Sequence, residues 1–177
     1  MPRTRRSGRS GRPGRPGRSG QAHASSLGKA RRTLSGLAFF RKMMDGEVPR
    51  PPMTALLNLR LIEADEGRVV FRAVPTAAHY NGMGVVHGGL VATLLDSALG
   101  CAINTLAPAG KTFTTLEIKI NYTRPLTSDV GPLRCEARAI HVGSRVGTAE
   151  GRVVDANGKL YAHGTTTCIL FEPRRAR

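Results

Sequence analysis

The chain has 177 residues, with 27 Lys and Arg against 12 Asp and Glu, for a formal net charge of +15. That length suits one domain with extensions. The charge is not spread evenly: residues 1–50 hold 13 basic and 2 acidic residues and residues 51–177 hold 14 and 10, so the body is close to neutral and lacks the basic face that a DNA-binding domain needs.

Residues 1–26 are mostly Arg, Gly, Pro and Ser. Such a segment buries too little apolar surface to offset its ordering entropy, so residues 1–32 are expected to form a disordered basic leader. It has no continuous apolar stretch of the secretory type. Its Gly and Pro content disfavours the amphipathic helix of a transit peptide; the plain expectation is an unselected or mis-started leader, with a nonspecific polyanion-binding tail as the alternative. The folded domain is expected over residues 33–172, with a basic tail at 173–177.

Leu34 to Met44 carries apolar residues at helical spacing and predicts a short amphipathic helix, ended by Pro49, Pro51 and Pro52. Met53 to Leu57 suits one more turn. Leu59 to Ala64, Gly67, and Arg68 to Val74 read as a hairpin. A Gly-rich polar loop follows from Pro75 to Val86. From about His87 to Leu106 the chain reads as a helix apolar on all sides, broken by one charge, Asp96, and stopped by Pro108-Ala109-Gly110. It is too short to span a membrane. A buried carboxylate needs partners or a chemical task.

The remainder is β. Thr115 to Tyr122 alternates with its apolar residues on even positions, which predicts one buried and one polar face. Leu133 to Val142, Val146 to Val154 and Leu160 to Phe171 follow as strands, and Asp155 to Lys159 is a turn with Gly158 at a positive-φ position. The order predicts an α+β domain in which a twisted antiparallel sheet, its last four strands a meander, wraps one central apolar helix. Cys101, Cys135 and Cys168 show neither metal spacing nor a disulfide framework, and suit small buried hydrophobes in a reducing, cytoplasmic setting.

His79-Tyr80-Asn81, Gly84-Val85-Val86-His87-Gly88-Gly89, Leu95-Asp96, Thr114-Thr115-Leu116-Glu117, Asn121-Tyr122-Thr123-Arg124-Pro125 and Gly143-Ser144-Arg145 together resemble the PaaI-type acyl-CoA thioesterases of the hotdog fold. The resemblance covers about residues 33–172. It implies a homodimer or dimer of dimers with the active site shared between subunits, and hydrolysis of a coenzyme A thioester without metal or prosthetic group. It places the nucleophile or general base on Asp96, polar residues ahead of the helix on Asn81 and His87, and the oxyanion-binding amide on Gly89, with Gly88 beside it. The hydroxyl that orients the attacking water falls on Thr115 or, in another register, Thr114. Relatives often carry a basic residue directly after the glycine at 143; here Ser144 intervenes before Arg145.

The residues support this chemistry in their own terms. A helix N-terminus offers orphan amides and partial positive charge, and glycines allow close approach of a substrate carbonyl. Arg124 and Arg145 are candidates for the phosphates of coenzyme A, because Arg binds phosphate in a bidentate manner. Plainer roles compete: Asp96 as a structural acid, His87 as a cap, Asn81 as a turn residue, Glu117 and Lys119 as an exposed pair, His141 and His163 as strand-surface residues, and both arginines as solvated charge. Asp96 lies nine residues from His87, about 13 Å along a helix. One helix therefore cannot bring both its start and its carboxylate to one substrate, so if both are catalytic the spacing favours two shared sites per dimer, each completed by a partner helix running the other way. A noncatalytic acyl-CoA-binding module is the rival reading, and a nucleic-acid-associated role through the leader is a further one, without specific nucleic-acid recognition. No membrane association is expected.

Overall fold

The computed structural model describes residues 18–172, with side chains described from Ser26 onward. The expectations for residues 1–17 and 173–177 lie outside the described residues. The chain forms α1 (Arg18–Thr33), α2 (Gly36–Met44), α3 (Pro52–Leu56), β1 (Leu59–Asp65), β2 (Arg68–Ala73), α4 (Gly88–Thr105), β3 (Thr112–Tyr122), β4 (Leu133–Val142), β5 (Val146–Val154) and β6 (Leu160–Phe171). The helix and strand assignments from Leu34 onward match the expected pattern to within a few residues. As expected for the hotdog fold, six antiparallel strands pack around α4.

Two features differ from expectation. The first is α1, which starts at Arg18, well ahead of the expected domain boundary at residue 33. The helix is held by its last turns: Leu27, Ala30 and Leu34 pack against the core at i, i+3 and i+7 spacing. The Arg31 guanidinium stacks on Phe39 with Cζ 4.5 Å from the ring centroid. Residues 27–32 are thus part of the folded domain. The second is strand order, β1-β2-β4-β5-β6-β3. Only β4, β5 and β6 form a meander; β3 lies on the far side of β6. The connection from Thr123 to Pro132 carries the chain across to β2, which gives the β1–β2 hairpin an inner neighbour and leaves β3 at the sheet edge.

The core forms between α4 and the concave face of the sheet. Leu94, Leu95, Ala98, Leu99, Ala102 and Ile103 are buried completely. Two glycines permit the tightest contacts. A Cβ on Gly100 would lie 2.1 Å from the Phe113 ring, and one on Gly36 would lie 1.5 Å from the Asn104 carbonyl oxygen. The start of α2 is tied there by Gly36 N–H donating to the Ala107 carbonyl at 3.0 Å. Thr105 Oγ1 accepts from Gly67 N–H and donates to the Ala102 carbonyl, joining the end of α4 to the β1–β2 turn. Gly158 has φ +79°, as the Asp155–Lys159 turn requires.

The strict alternation expected in β3 is interrupted. A bulge between Thr115 and Glu117 shifts the pleat, so Phe113 and Thr115 face inward before it and Ile118 and Ile120 after it, while Leu116 is 61% exposed.

On the outer face of β1, β2 and β4, Glu63 accepts from Arg134 and Arg68, and Glu136 accepts from Arg68 and Arg138. Hydrogen bonds from Arg134 and then Arg68 lower the Glu63 pKa from 4.5 to about 2. The stability this confers is present above the ordinary carboxylate pKa and is lost as pH falls from 4.5 toward 2. Glu63→Gln should therefore flatten the decline of Tm across that acid range relative to wild type, measured by thermal melts at successive pH values; parallel declines would show that this carboxylate carries none of the acid sensitivity.

The packing of α1 yields a second expectation. A chain starting at Thr33 should melt lower than one starting at Arg18 by at least roughly 2–4 °C, the shift produced by about 1 kcal/mol in a domain of this size. Equal melting temperatures would return residues 18–32 to the status of an appendage.

Candidate active site

The loop before α4 is built by short-range hydrogen bonds. Thr76 and His79 form a reciprocal capping box. The Asn81 side-chain oxygen accepts from Met83 N–H at 2.8 Å and Val85 N–H at 3.4 Å, while Asn81 N–H donates to the Val85 carbonyl. Asn81 therefore closes a tight turn that places His87 at the helix entrance. His87 is the N-cap of α4: its Nδ1 accepts from Gly89 N–H at 2.8 Å. In the neutral ring the proton then sits on Nε2, which becomes an outward donor. The Gly89 amide is thus engaged by His87, and Gly88 N–H, in the first helical position, has no intrahelical acceptor.

Tyr122 closes over this helix start. Its hydroxyl donates to the Gly88 carbonyl at 3.1 Å, and a Cβ at Gly88 would lie 3.3 Å from its ring. Asn81, Gly88, Val91, Tyr122, Arg124 and Tyr161 help to line a groove of about 450 Å³. The Arg124 guanidinium donates to the Leu160 carbonyl at 2.6 Å, which holds it beside the groove.

Asp96 occupies a different cavity, of about 390 Å³, walled mainly by Phe40, Met43, Met53, Leu61, Phe71 and Phe113. Thr115 Oγ1 donates to Asp96 Oδ1 at 2.7 Å, and no described residue donates to Oδ2. Thr114 is exposed, so it is Thr115 that reaches the carboxylate. The bulge after Thr115 makes this possible, because the hydroxyl faces α4 while the rest of β3 keeps its own pleat. Asp45, the other carboxylate at this cavity, is exposed at the end of α2.

The thiols nearby are poor nucleophiles. Burial pushes Cys101 up to about 12 although the Arg31 charge pulls it down. Burial also raises Cys168, against a contact with Thr115 Oγ1. Both stay protonated near neutral pH and lack thiolate reactivity. Asp96 is therefore the group in the cavity able to take a proton or attack a carbonyl. Among the described residues no three His, Cys, Asp or Glu side chains converge to hold a metal ion.

The structure divides the candidate residues into three places. Asp96 lines one cavity and is hydrogen-bonded by Thr115 behind it; Asn81, His87, Gly88, Gly89 and Arg124 gather at the helix start; Arg145 is exposed in the β4–β5 turn, outside both. Two participants were not legible as such. Tyr122 stands within a quoted motif, but its hydroxyl contact with Gly88 depends on a strand that crosses the helix start. Arg31 lines the Asp96 cavity; the Leu27-Ala30-Leu34 spacing was the available sign that its segment is helical and docked.

Comparison with known proteins identifies the family and the fold. A thioesterase superfamily model matches residues 83–162. A Halobacterium salinarum protein whose name marks it as a candidate esterase is 33% identical over 123 residues, covering 66% of this chain and 79% of that protein. Among solved structures, the phenylacetic acid degradation-related protein of Ralstonia eutropha JMP134 is 30% identical with a TM-score of 0.67, covering 73% of this chain and 98% of its own. The E. coli PaaI protein from the phenylacetic acid degradation operon is 25% identical with a TM-score of 0.67, covering 78% and 96%. The chain belongs to the thioesterase superfamily, and within it to the PaaI-type hotdog thioesterases.

Removing the hydroxyl that orients Asp96 tests the geometry directly. Thr115→Val should lower kcat for thioester hydrolysis by roughly tenfold or more, the scale of a hydrogen bond to a charged group, whereas Thr115→Ser should retain most of it. Steady-state assays on both variants decide, and equal activity of the Val and Ser variants would remove Thr115 from the site.

Proposed function

We propose that the protein hydrolyses acyl-CoA thioesters to the free acid and coenzyme A, with Asp96 as general base or nucleophile, in an active site shared by two copies of the chain. The observation that carries this reading is the placement of Asp96, tied to Thr115 through Oδ1 in the wall of one cavity, while the start of the same helix opens on a separate groove.

In the general-base form, Oδ2 takes a proton from a water molecule as the water oxygen bonds to the thioester carbon. The carbonyl oxygen gains the negative charge. Amides at a helix N-terminus suit that oxygen, and each aimed donor in such sites is worth about 3 kcal/mol. Gly89 N–H reaches it once the His87 ring turns away, and Gly88 N–H supplements it. Collapse of the intermediate breaks the C–S bond, and the leaving thiolate recovers the proton from the Asp96 carboxyl. In the nucleophilic form, Oδ2 bonds to the thioester carbon, the C–S bond breaks and coenzyme A leaves as thiolate; water then hydrolyses the mixed anhydride, which frees the acid, restores the Asp96 carboxylate and supplies the proton the thiolate takes up. His87 and Asn81 shape the helix entrance in either case.

Nine residues of helix, about 13 Å, separate the amides from the carboxylate. A partner helix running in the opposite direction supplies the missing half, which supports a homodimer or a dimer of dimers. Arg124 beside the helix-start groove, and Arg145 on the outer turn, provide positive charge for the phosphates of coenzyme A. The apolar walls around Asp96 suit an aromatic or medium-chain acyl group. The free thiols fit a reducing, cytoplasmic setting. A noncatalytic acyl-CoA-binding module is less favoured, since binding alone gains nothing from a carboxylate oriented by Thr115.

Asp96→Asn should reduce kcat by at least about 100-fold on a panel of acyl-CoAs followed by release of free thiol, with the melting curve retained. Gly89→Pro, tolerated in the first helical turn, should also be nearly inactive. Refolded together in equal amounts, the two variants should recover about a quarter of wild-type activity, because half the dimers are mixed and each mixed dimer holds one complete site. An active Asp96→Asn enzyme would move the chemistry elsewhere, and a mixture no better than its components would confine each site to one chain.

A further inference from the structure

Arg31 is the cation that the proposed chemistry leaves unused. It is half-buried on α1 and lines the same cavity as Asp96. Its side chain makes one hydrogen bond among the described residues, Nη1 to Thr112 Oγ1 at 2.9 Å, and no described carboxylate lies within ion-pair distance. The stack on Phe39 covers one face of the guanidinium. Thr112 takes one of the five N–H donors, and none of the others is both buried and unpartnered, so they stay open to water or to a ligand. Burial lowers the Arg31 pKa, which reflects the cost of holding this charge beside apolar walls. A charge kept there without a protein partner is suited to an anionic ligand.

Arg31 and Asp96 line one cavity, so a ligand seated at the Asp96 carboxylate can extend to the guanidinium. Phe113 lies in the same lining, and Gly100 allows that ring its close seat against α4.

We propose that Arg31 selects acyl groups that end in a carboxylate, so that the preferred substrates are coenzyme A monothioesters of dicarboxylic acids. The inference rests on the thioesterase reading and adds to it the chemistry of the far end of the acyl group.

The test uses the wild-type full chain with three acyl-CoAs of one length: adipyl-CoA, hexanoyl-CoA and 6-aminohexanoyl-CoA. Adipyl-CoA should show a kcat/KM at least about tenfold above hexanoyl-CoA, the scale of one charge-assisted hydrogen bond, and 6-aminohexanoyl-CoA should be the poorest. Arg31→Met should bring the adipyl-to-hexanoyl ratio to about one or below, and Arg31→Lys should keep part of the preference. If Arg31→Met does not fold, the wild-type series and the Lys variant carry the decision. Hexanoyl-CoA hydrolysed as well as adipyl-CoA by wild type, or an unchanged ratio in Arg31→Met, would overturn the selection while leaving the thioesterase reading intact. Failure to hydrolyse any acyl-CoA in the series or in the wider panel would end both.

Discussion

The hydrogen bond from Thr115 to Asp96 depends on the burial of one helix inside one curved sheet. Helix α4 is apolar on nearly every side, so it must be wrapped rather than laid on a surface. Wrapping brings β3 against its middle, where Gly100 admits the Phe113 ring and Thr115 meets Asp96. A charged side chain at that depth would be costly in an unbroken core. The structure resolves the conflict by opening a cavity on the Asp96 side of α4, between the sheet and the α2–α3 segment. The chemistry and the cavity thus have one origin, since the carboxylate cannot be accommodated without the space a substrate would use.

The two ends of the site follow from the same helix. Its N-terminus must have its first amides satisfied, and His87 does so for Gly89 in this state. In the proposed mechanism, capping and oxyanion binding therefore compete for one donor. Tyr122 fixes the Gly88 carbonyl and Asn81 fixes the approaching loop, so turning the His87 ring frees the amide without rebuilding the helix entrance. The separation between this entrance and Asp96 is a property of helical rise alone. It makes a shared site the economical arrangement for a chain that carries each half once.

Much of this was legible before any coordinates. Gly-Gly opening an apolar run with a lone Asp is a local pattern, and local patterns survive folding; so are the capping role of His87 and the turn at Asn157-Gly158. Three things were hidden because they depend on distant parts of the chain. The partner of β3 is β6, some 50 residues away in pairs such as Thr115 with Cys168, and alternation in one strand says nothing about which strand lies beside it. The bulge at Leu116 reverses the facing of residues after it, so the even-position pattern that assigned Leu116 inward placed it wrongly. Helix α1 was hidden by composition: its Arg, Ser and Gly content suggests disorder, and only docking of Leu27 and Ala30 on the core stabilises it.

That misreading has a functional side. The residues proposed to carry the chemistry sit on α4 and β3, which pack against the core and take their positions from it. The far wall of the Asp96 cavity comes from α1, α2 and the segment through α3, which touch the core along fewer contacts and are tied to it by side chains such as Phe39, Phe40 and Met43. Changes there alter the shape and charge of the acyl pocket at little cost to the fold, whereas changes on α4 or β3 disturb both. Rigid chemistry on one set of elements and adjustable recognition on another is how a single scaffold serves different acyl groups. Arg31 lies on the adjustable side. A half-buried guanidinium there carries a desolvation cost without a protein carboxylate to offset it, and a ligand carboxylate would supply the missing charge.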